Sequence, residues 1–390
     1  MSSATSSAPL FTGSQRRCHL LLLLFLPAPA LTLKRLSLLN GVDIATARQD
    51  IAEVGDEIQR YHRLELHQMV DGSLRIHGTE LDRRICLIHN LRRSLRLSQA
   101  FVCEHFAAPL RQRLKQMKIE KALYDETNLQ ALIQHCSLCL NRPFSTRDQL
   151  FLQIFMKYGL CQRQPAIFTA QQQAWLAAKA ERQAATDVIH HWQKRCHLSP
   201  DASETDFWTL LFSLLHSPDP DCVTHSSEQR LMRATQRLID DFEHYAGNAF
   251  HERSELQQQL YTHLAQALDR TYFTIGIDDS VAQDVTRLYP RLLRTTQQAL
   301  AAFEQEYEIC FEAEEVSLIT VILGAWLMQS SALQEKQVLL LTGDDPELEQ
   351  DVEQQIREIT LLPVNITYQR VEDFQRDGAP REVDLIISPY

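Results

Sequence analysis

His263 stands in the segment Leu256–Arg270, where Leu256, Leu260, Leu264, Ala267 and Leu268 recur at helical spacing. That spacing predicts a helix with His263 at the edge of its apolar stripe, half in packing and half near a surface. An imidazole nitrogen is nucleophilic at neutral pH, so a histidine so placed can accept a phosphoryl group. Position alone also fits a packed core histidine with no chemistry, the commoner case. Arg270 follows two turns along the same face and can screen a phosphate; Arg287 is a second candidate partner. A different chemistry is suggested by Cys136 and Cys139, preceded by His135, as a metal clip or redox pair. No second CxxC follows and the segment is helical rather than a knuckle, so no metal site is assigned. No nucleophile–base–orienter set, glycine-rich phosphate loop or metal-spaced cluster occurs. The chain is therefore expected to be no enzyme and to need no cofactor.

The text around His263 is more specific than the residue itself. After the helix come Thr274-Ile-Gly-Ile-Asp-Asp, Leu288-Tyr-Pro-Arg-Leu, Ala299-Leu-Ala-Ala-Phe-Glu and Glu314-Glu-Val-Ser-Leu-Ile-Thr-Val-Ile. In this order and spacing, residues 222–333 resemble a PRD, the all-helical phosphorylation-responsive domain of sugar-phosphotransferase-linked regulators. His263 falls on the first-histidine motif Leu-x-x-His-Leu-x-x-Ala-Leu-x-Arg. The resemblance implies phosphorylation of His263 by a phosphocarrier or another phosphotransferase protein. It also implies symmetric pairing into a homodimer through residues 118–333. A second histidine is usual in the helix after the acidic pair, but Ile322 stands in that aliphatic stretch. His216, His244 and His251 are scattered and read as surface or cap residues.

Composition bounds the class. The chain has 390 residues, enough for several domains, with 44% hydrophobic and 23% charged residues and only 11 Gly and 14 Pro. Long segments rich in Leu, Ala, Gln, Glu and Arg favour helices throughout. Net charge is −11, which argues against a generally basic nucleic-acid coat. The first 100 residues nevertheless balance at +4, leaving −15 for the remainder. Nine cysteines, an odd number without a regular framework, read as reduced thiols in a cytoplasmic protein. Cys86, Cys161 and Cys310 are expected on apolar helix faces. Leu20–Leu26 behind Arg16 and Arg17 imitates a signal peptide but is too short to span a bilayer, and no membrane association is expected.

Residues 1–14 read as a disordered tail. Residues 15–83 then read as three helices and a hairpin: Arg17–Phe25, Leu33–Leu39, Ile44–Tyr61 capped by Asp43, and two short strands around Asp71-Gly72. Such a unit is a winged helix-turn-helix. It resembles the N-terminal domain of PRD-type and Mga-like transcription regulators, whose wing is followed by Gly-x-Glu-x-x-Arg, here Gly78-Thr-Glu80-Leu-Asp-Arg83. Thr46, Arg48, Gln49 and Asp50 on the third helix, with His67 and Arg75 on the wing, are candidates to contact duplex DNA. Asp50, Glu53, Asp56 and Glu57 make that helix less basic than a strong DNA reader. Loss of DNA contact, leaving a protein-interaction domain, stays open.

Residues 84–117, with Arg83, Arg84, Arg92, Arg93 and Arg96 at their start, read as a charged helical linker, or less simply as a phosphate-contacting stripe. Residues 118–217 repeat the element order of the PRD as a degenerate first copy. Superposing Leu152–Leu160 on Leu260–Leu268 puts Phe155 at the position of His263. Residues 336–390 change character: strand Lys336–Gly343, helix Pro346–Ile359, strand Val364–Arg370 and strand Asp384–Ser388 predict a small parallel sheet. This resembles the start of a phosphotransferase IIB-like α/β domain, in which phosphate-carrying versions place a cysteine after the first strand. Here Thr342-Gly-Asp-Asp stands there, and its aspartates read as helix caps rather than cation ligands. The chain stops directly after the third strand, as a truncated domain would.

The fold class expected is mainly α: a winged helix-turn-helix, two all-helical PRD bundles and a partial α/β domain. The function expected is regulation of DNA-templated transcription, tuned by phosphorylation of His263. A protein-binding sensor without DNA contact is the alternative. RNA antitermination is a further alternative, although its small β-sheet RNA-binding domain does not fit the helix-rich residues 17–61.

Overall fold

The structure is a computed structural model that describes residues 11–195, 202–215, 218–277, 280–329, 335–361 and 364–390. It is mainly helical, with two small sheets, and divides into two units. The first holds residues up to 217 with 273–276, and the second holds 218–272 with 277–390.

The first unit opens with α1 (Gly13–Leu23), α2 (Leu33–Asn40) and α3 (Ile44–His62). Each starts where a side chain caps free amides. Thr12 forms a capping box with Gln15, Thr32 accepts from Arg35 N, and Asp43 Oδ1 accepts from Thr46 N at 2.7 Å. The helix thus begins inside the stretch read as a disordered tail; the rest of that tail, residues 1–10, lies outside the described residues. Leu20 to Leu26 are all buried. The signal-like run is the buried end of α1 and the turn after it, apolar all round because it is covered all round. Among the described residues, no helix is long and apolar enough to cross a membrane.

Strands β1 (Glu65–Gln68) and β2 (Leu74–His77) pair antiparallel, with Leu66 opposite Ile76 and His67 opposite Arg75. Gly72 takes φ +79° in the turn, and Asp71 Oδ1 accepts from Ser73 N at 2.9 Å, the local bond that makes Asp-Gly a turn former. Helix α4 (Glu80–Leu97) follows. α5 (Gln99–Val102) then runs through a π-helical turn, Cys103–Ala107, into α6 (Ala108–Gln116). The segment read as a linker is helical, but it does not serve as a connector. Eleven residues of α4 are buried, Arg84 among them at 2% exposure, and the helix packs on α1, α3, α5 and two later helices of the unit.

The first unit ends in α7 (Glu126–Leu140), α8 (Thr146–Cys161), α9 (Ala170–Ala177), α10 (Arg182–Arg195) and α11 (Ala202–Leu215). The second unit begins with α12 (Ser226–Ala246), α13 (Arg253–Phe273), α14 (Ser280–Leu288), α15 (Pro290–Tyr307) and α16 (Ala313–Met328). The two quintets pair alike: α7 with α10 as α12 with α15, α10 with α11 as α15 with α16, and α9 with α11 as α14 with α16. Cys310, expected on an apolar helix face, is exposed in the loop before α16; Cys86 is buried and Cys161 half-buried.

The C-terminal part comprises β3 (Lys336–Thr342), α17 (Pro346–Ile359), β4 (Val364–Arg370), α18 (Val371–Asp377) and β5 (Leu385–Ile387). The sheet is parallel in the order β4-β3-β5, with Val338 opposite both Ile366 and Leu385. Val338, Ile356 and Val364 form its core. The loop after β3 is closed from within. Glu349 Oε1 accepts from Gly343 N at 2.6 Å and from the Tyr390 hydroxyl at 2.8 Å, while Asp345 caps α17 through Leu348 N. The capping reading of that aspartate is the observed one. A Cβ on Gly343 would lie 2.7 Å from the Tyr390 ring, so a larger residue would have to push that ring aside.

Candidate functional site

Helix α13 buries Leu256, Leu260, Leu264, Ala267 and Leu268 completely. That stripe fixes the rotation of the helix and brings His263 to its edge, with 16% of the side chain exposed. The facing group is Glu315, in the first turn of α16, where a carboxylate suits the positive end of the helix. His263 Nε2 lies 3.5 Å from Glu315 Oε2, and the nitrogen is fully enclosed. Arg270 holds both oxygens of the same carboxylate: Nη2 donates to Oε2 at 3.1 Å and Nε donates to Oε1. Burial alone would push the Glu315 carboxyl up. The contacts from His263 and Arg270 outweigh it and hold the group below the ordinary carboxylate range.

A histidine and an arginine on one face of α13 therefore converge on one buried carboxylate 45 residues beyond Arg270. The sequence places His263 and Arg270 on a shared face, and the structure brings them together. Glu315 was legible only as half of an acidic pair. Arg287 pairs instead with Asp284, both well exposed. Phe155, which the sequence superposition sets at the position of His263, is 1% exposed among Phe151, Tyr158, Phe207 and Trp208. Ile322 is half-buried; His244 and His251 are exposed; His216 lies outside the described residues.

On α3, Arg48 and Gln49 are exposed and Thr46 is half-buried; Arg75 and His67 are exposed cross-strand neighbours on the hairpin. Asp50, expected on the exposed face, is 2% exposed, with Arg16 Nε donating to its Oδ2 at 2.8 Å. Ala47, Asp50, Val54 and Ile58 form the buried row of the helix, so Asp50 occupies a core-facing position. Glu53 pairs with Arg17 and Glu57 with Arg93. The acidity that makes α3 look unlike a DNA reader is thus largely neutralised from α1 and α4.

A bundle of five helices with a histidine held against an acidic helix start defines the class. Residues 236–326 match the family described as the PRD domain, so the chain is a PRD-containing protein. Residues 336–390 match the C-terminal domain of stationary phase-inducible protein CsiE. The stationary phase-inducible protein CsiE of Escherichia coli (strain K12) is 45% identical over 382 residues, covering 97% of this chain and 90% of the relative. The chain belongs to the CsiE family.

Proposed function

We propose that this protein regulates DNA-templated transcription from the cytoplasm. In this reading α1–α3 and the β1–β2 hairpin act as a winged helix-turn-helix on duplex DNA. His263 receives a phosphoryl group from a phosphotransferase-type phosphocarrier, residues 118–217 are a degenerate first PRD, and the chain pairs as a homodimer through its PRD bundles. The observation that carries the reading is the convergence of His263 and Arg270 on Glu315 inside a PRD. A phosphoryl group adds nearly two negative charges. On Nε2 it cannot coexist with the Glu315 carboxylate in the present arrangement. Arg270, already aimed at that point, can exchange the carboxylate for the phosphate and so change how α13 docks on α16.

Incubation with the general phosphocarrier and its phosphoenolpyruvate-dependent kinase is expected to give an acid-labile label. The label should vanish in His263→Ala and form several-fold faster in Glu315→Gln, where the repelling charge is gone. Equal labelling of the protein and His263→Ala, or no label in either, leaves His263 a packing residue.

DNA contact is tested on the intact chain, because α4 ties the N-terminal elements into the rest of the first unit. Duplex fragments recovered by genome-wide pulldown are expected to bind with affinity that falls steeply as salt rises. Arg48→Ala and Arg75→Ala should each cost about 1 kcal/mol or more, and a lost phosphate contact should reduce the salt slope by about one. If no fragment shifts at low salt, the protein-interaction sensor is the better account; the few unpaired basic groups on α3 favour that second reading. Antitermination is disfavoured by α1–α3, helices where an RNA-binding sheet would be needed.

A further inference from the structure

Three metal-ligating side chains come together on the surface of the first unit. His135 and Cys139 are one turn apart on α7, and Asp187 projects from α10, the helix packed beside it. Cys139 Sγ lies 3.4 Å from His135 Nε2 and 3.6 Å from Asp187 Oδ2, and His135 Nε2 lies 2.8 Å from the same oxygen. Zinc–ligand bonds of about 2.0–2.3 Å meeting at the tetrahedral angle set N, O and S ligands about 3.3–3.6 Å apart. Two edges of the triangle already have that length, and the third needs to open by about half an ångström. The other carboxylate oxygen is engaged: Gln183 Nε2 donates to Asp187 Oδ1 at 2.9 Å, which leaves Oδ2 to face the pair on α7. Such an outer bond is the usual means of orienting a carboxylate ligand.

We propose that His135, Cys139 and Asp187 bind a divalent ion of borderline softness, Zn2+ foremost, leaving one coordination position to water. One imidazole, one thiolate and one carboxylate suit zinc better than the hard ions magnesium and calcium. His135 has half its side chain exposed and Cys139 is exposed, so the ion has a path in. Binding forms a metal–sulfur bond and breaks the Cys139 S–H bond, releasing that proton to the buffer; the Nε2 proton that His135 gives to Asp187 moves to Nδ1 by exchange with water, and the hydrogen bond is replaced by two metal–ligand bonds. The ion then clamps α7 to α10. In the second unit the equivalent seam, α12 to α15, is closed by Arg230 and Arg237 on Glu306. This inference does not depend on the regulatory reading.

The test uses the full chain, reduced and stripped with a chelator, then titrated with Co2+ and with Zn2+ against a competing chromophoric chelator. One Co2+ per chain with a thiolate-to-cobalt charge-transfer band is expected. Cys139→Ser should abolish the band, and His135→Ala and Asp187→Asn should each weaken Zn2+ binding at least tenfold. Cys103→Ser should change nothing. A band that survives in Cys139→Ser, or no bound ion at micromolar Zn2+, overturns the proposal. A second measurement avoids variants altogether: Zn2+ should protect Cys139 of the unmodified protein from alkylation, read by peptide mass. Equal modification with and without Zn2+ overturns it as well.

Discussion

Arg84→Ala is expected to destabilise the first unit by about 3–5 kcal/mol, the cost of breaking a buried charge network by removing one member. Arg84 is 2% exposed, yet every direction of its guanidinium is used. Nε donates to Glu80 Oε1 at 2.9 Å, Nη1 to both oxygens of Glu204 at 2.9 and 3.1 Å, and Nη2 to the carbonyl of Gln164 at 2.7 Å. Its plane lies 4.8 Å from the Phe207 ring centre. Removal leaves two partly buried carboxylates facing each other and a carbonyl without its donor. Urea unfolding followed by tryptophan fluorescence reads the loss. Arg84→Met with Glu204→Gln should recover much of it, since the shape is kept and one stranded charge is gone. A loss under 1 kcal/mol for Arg84→Ala would show that solvent reaches this cluster.

His62 should give the first unit an acid-sensitive limb. Burial, with the nearby Arg93 cation, pushes its imidazole down to about 4 from the ordinary 6.5. The unfolded chain therefore takes up this proton first as pH falls. Stability tied to a neutral His62 is fully present above 6.5 and is lost progressively towards 4, by about 2–3 kcal/mol for a ring still partly reached by water. The His89 ring lies 5.5 Å from that of His62, and Arg93 is held by Glu57. Stability measured across that window should fall more steeply for the native chain than for His62→Gln. Parallel curves would place the proton elsewhere.

What the sequence made legible was local. Asp43 and Asp345 announce their helices because a side-chain oxygen two or three residues ahead of free amides has little else to bond. Asp71-Gly72 fixes the hairpin, since the turn demands a positive φ. The apolar rows of α13 set the rotation of His263. What stayed hidden depends on partners far along the chain. Asp50 looked like an exposed residue of α3, but it takes the buried row because Arg16 arrives from α1 to neutralise it. The arginines of residues 83–96 looked like those of a charged linker helix, yet Arg84 has carboxylates waiting on α4 and α11. Asp187 carries no local signal and Glu315 only that of an acidic pair; each acquires its role from groups on another helix. The short α18 has no apolar periodicity to reveal it, and none of its residues is buried.

The closed loop after β3 has a consequence for traffic in phosphate. The carboxyl end of a central parallel strand, opening onto a helix N-terminus, is where α/β sheets ordinarily receive anions. In this chain the berth is taken: Glu349 holds the loop amide of Gly343, Asp345 holds the first turn of α17, and Tyr390 lies as a lid over the glycine. An incoming phosphate would have to evict two carboxylates that it also repels. The C-terminal sheet is therefore a closed door to group transfer. A phosphoryl group arriving at His263 would find no open berth at the carboxyl end of β3.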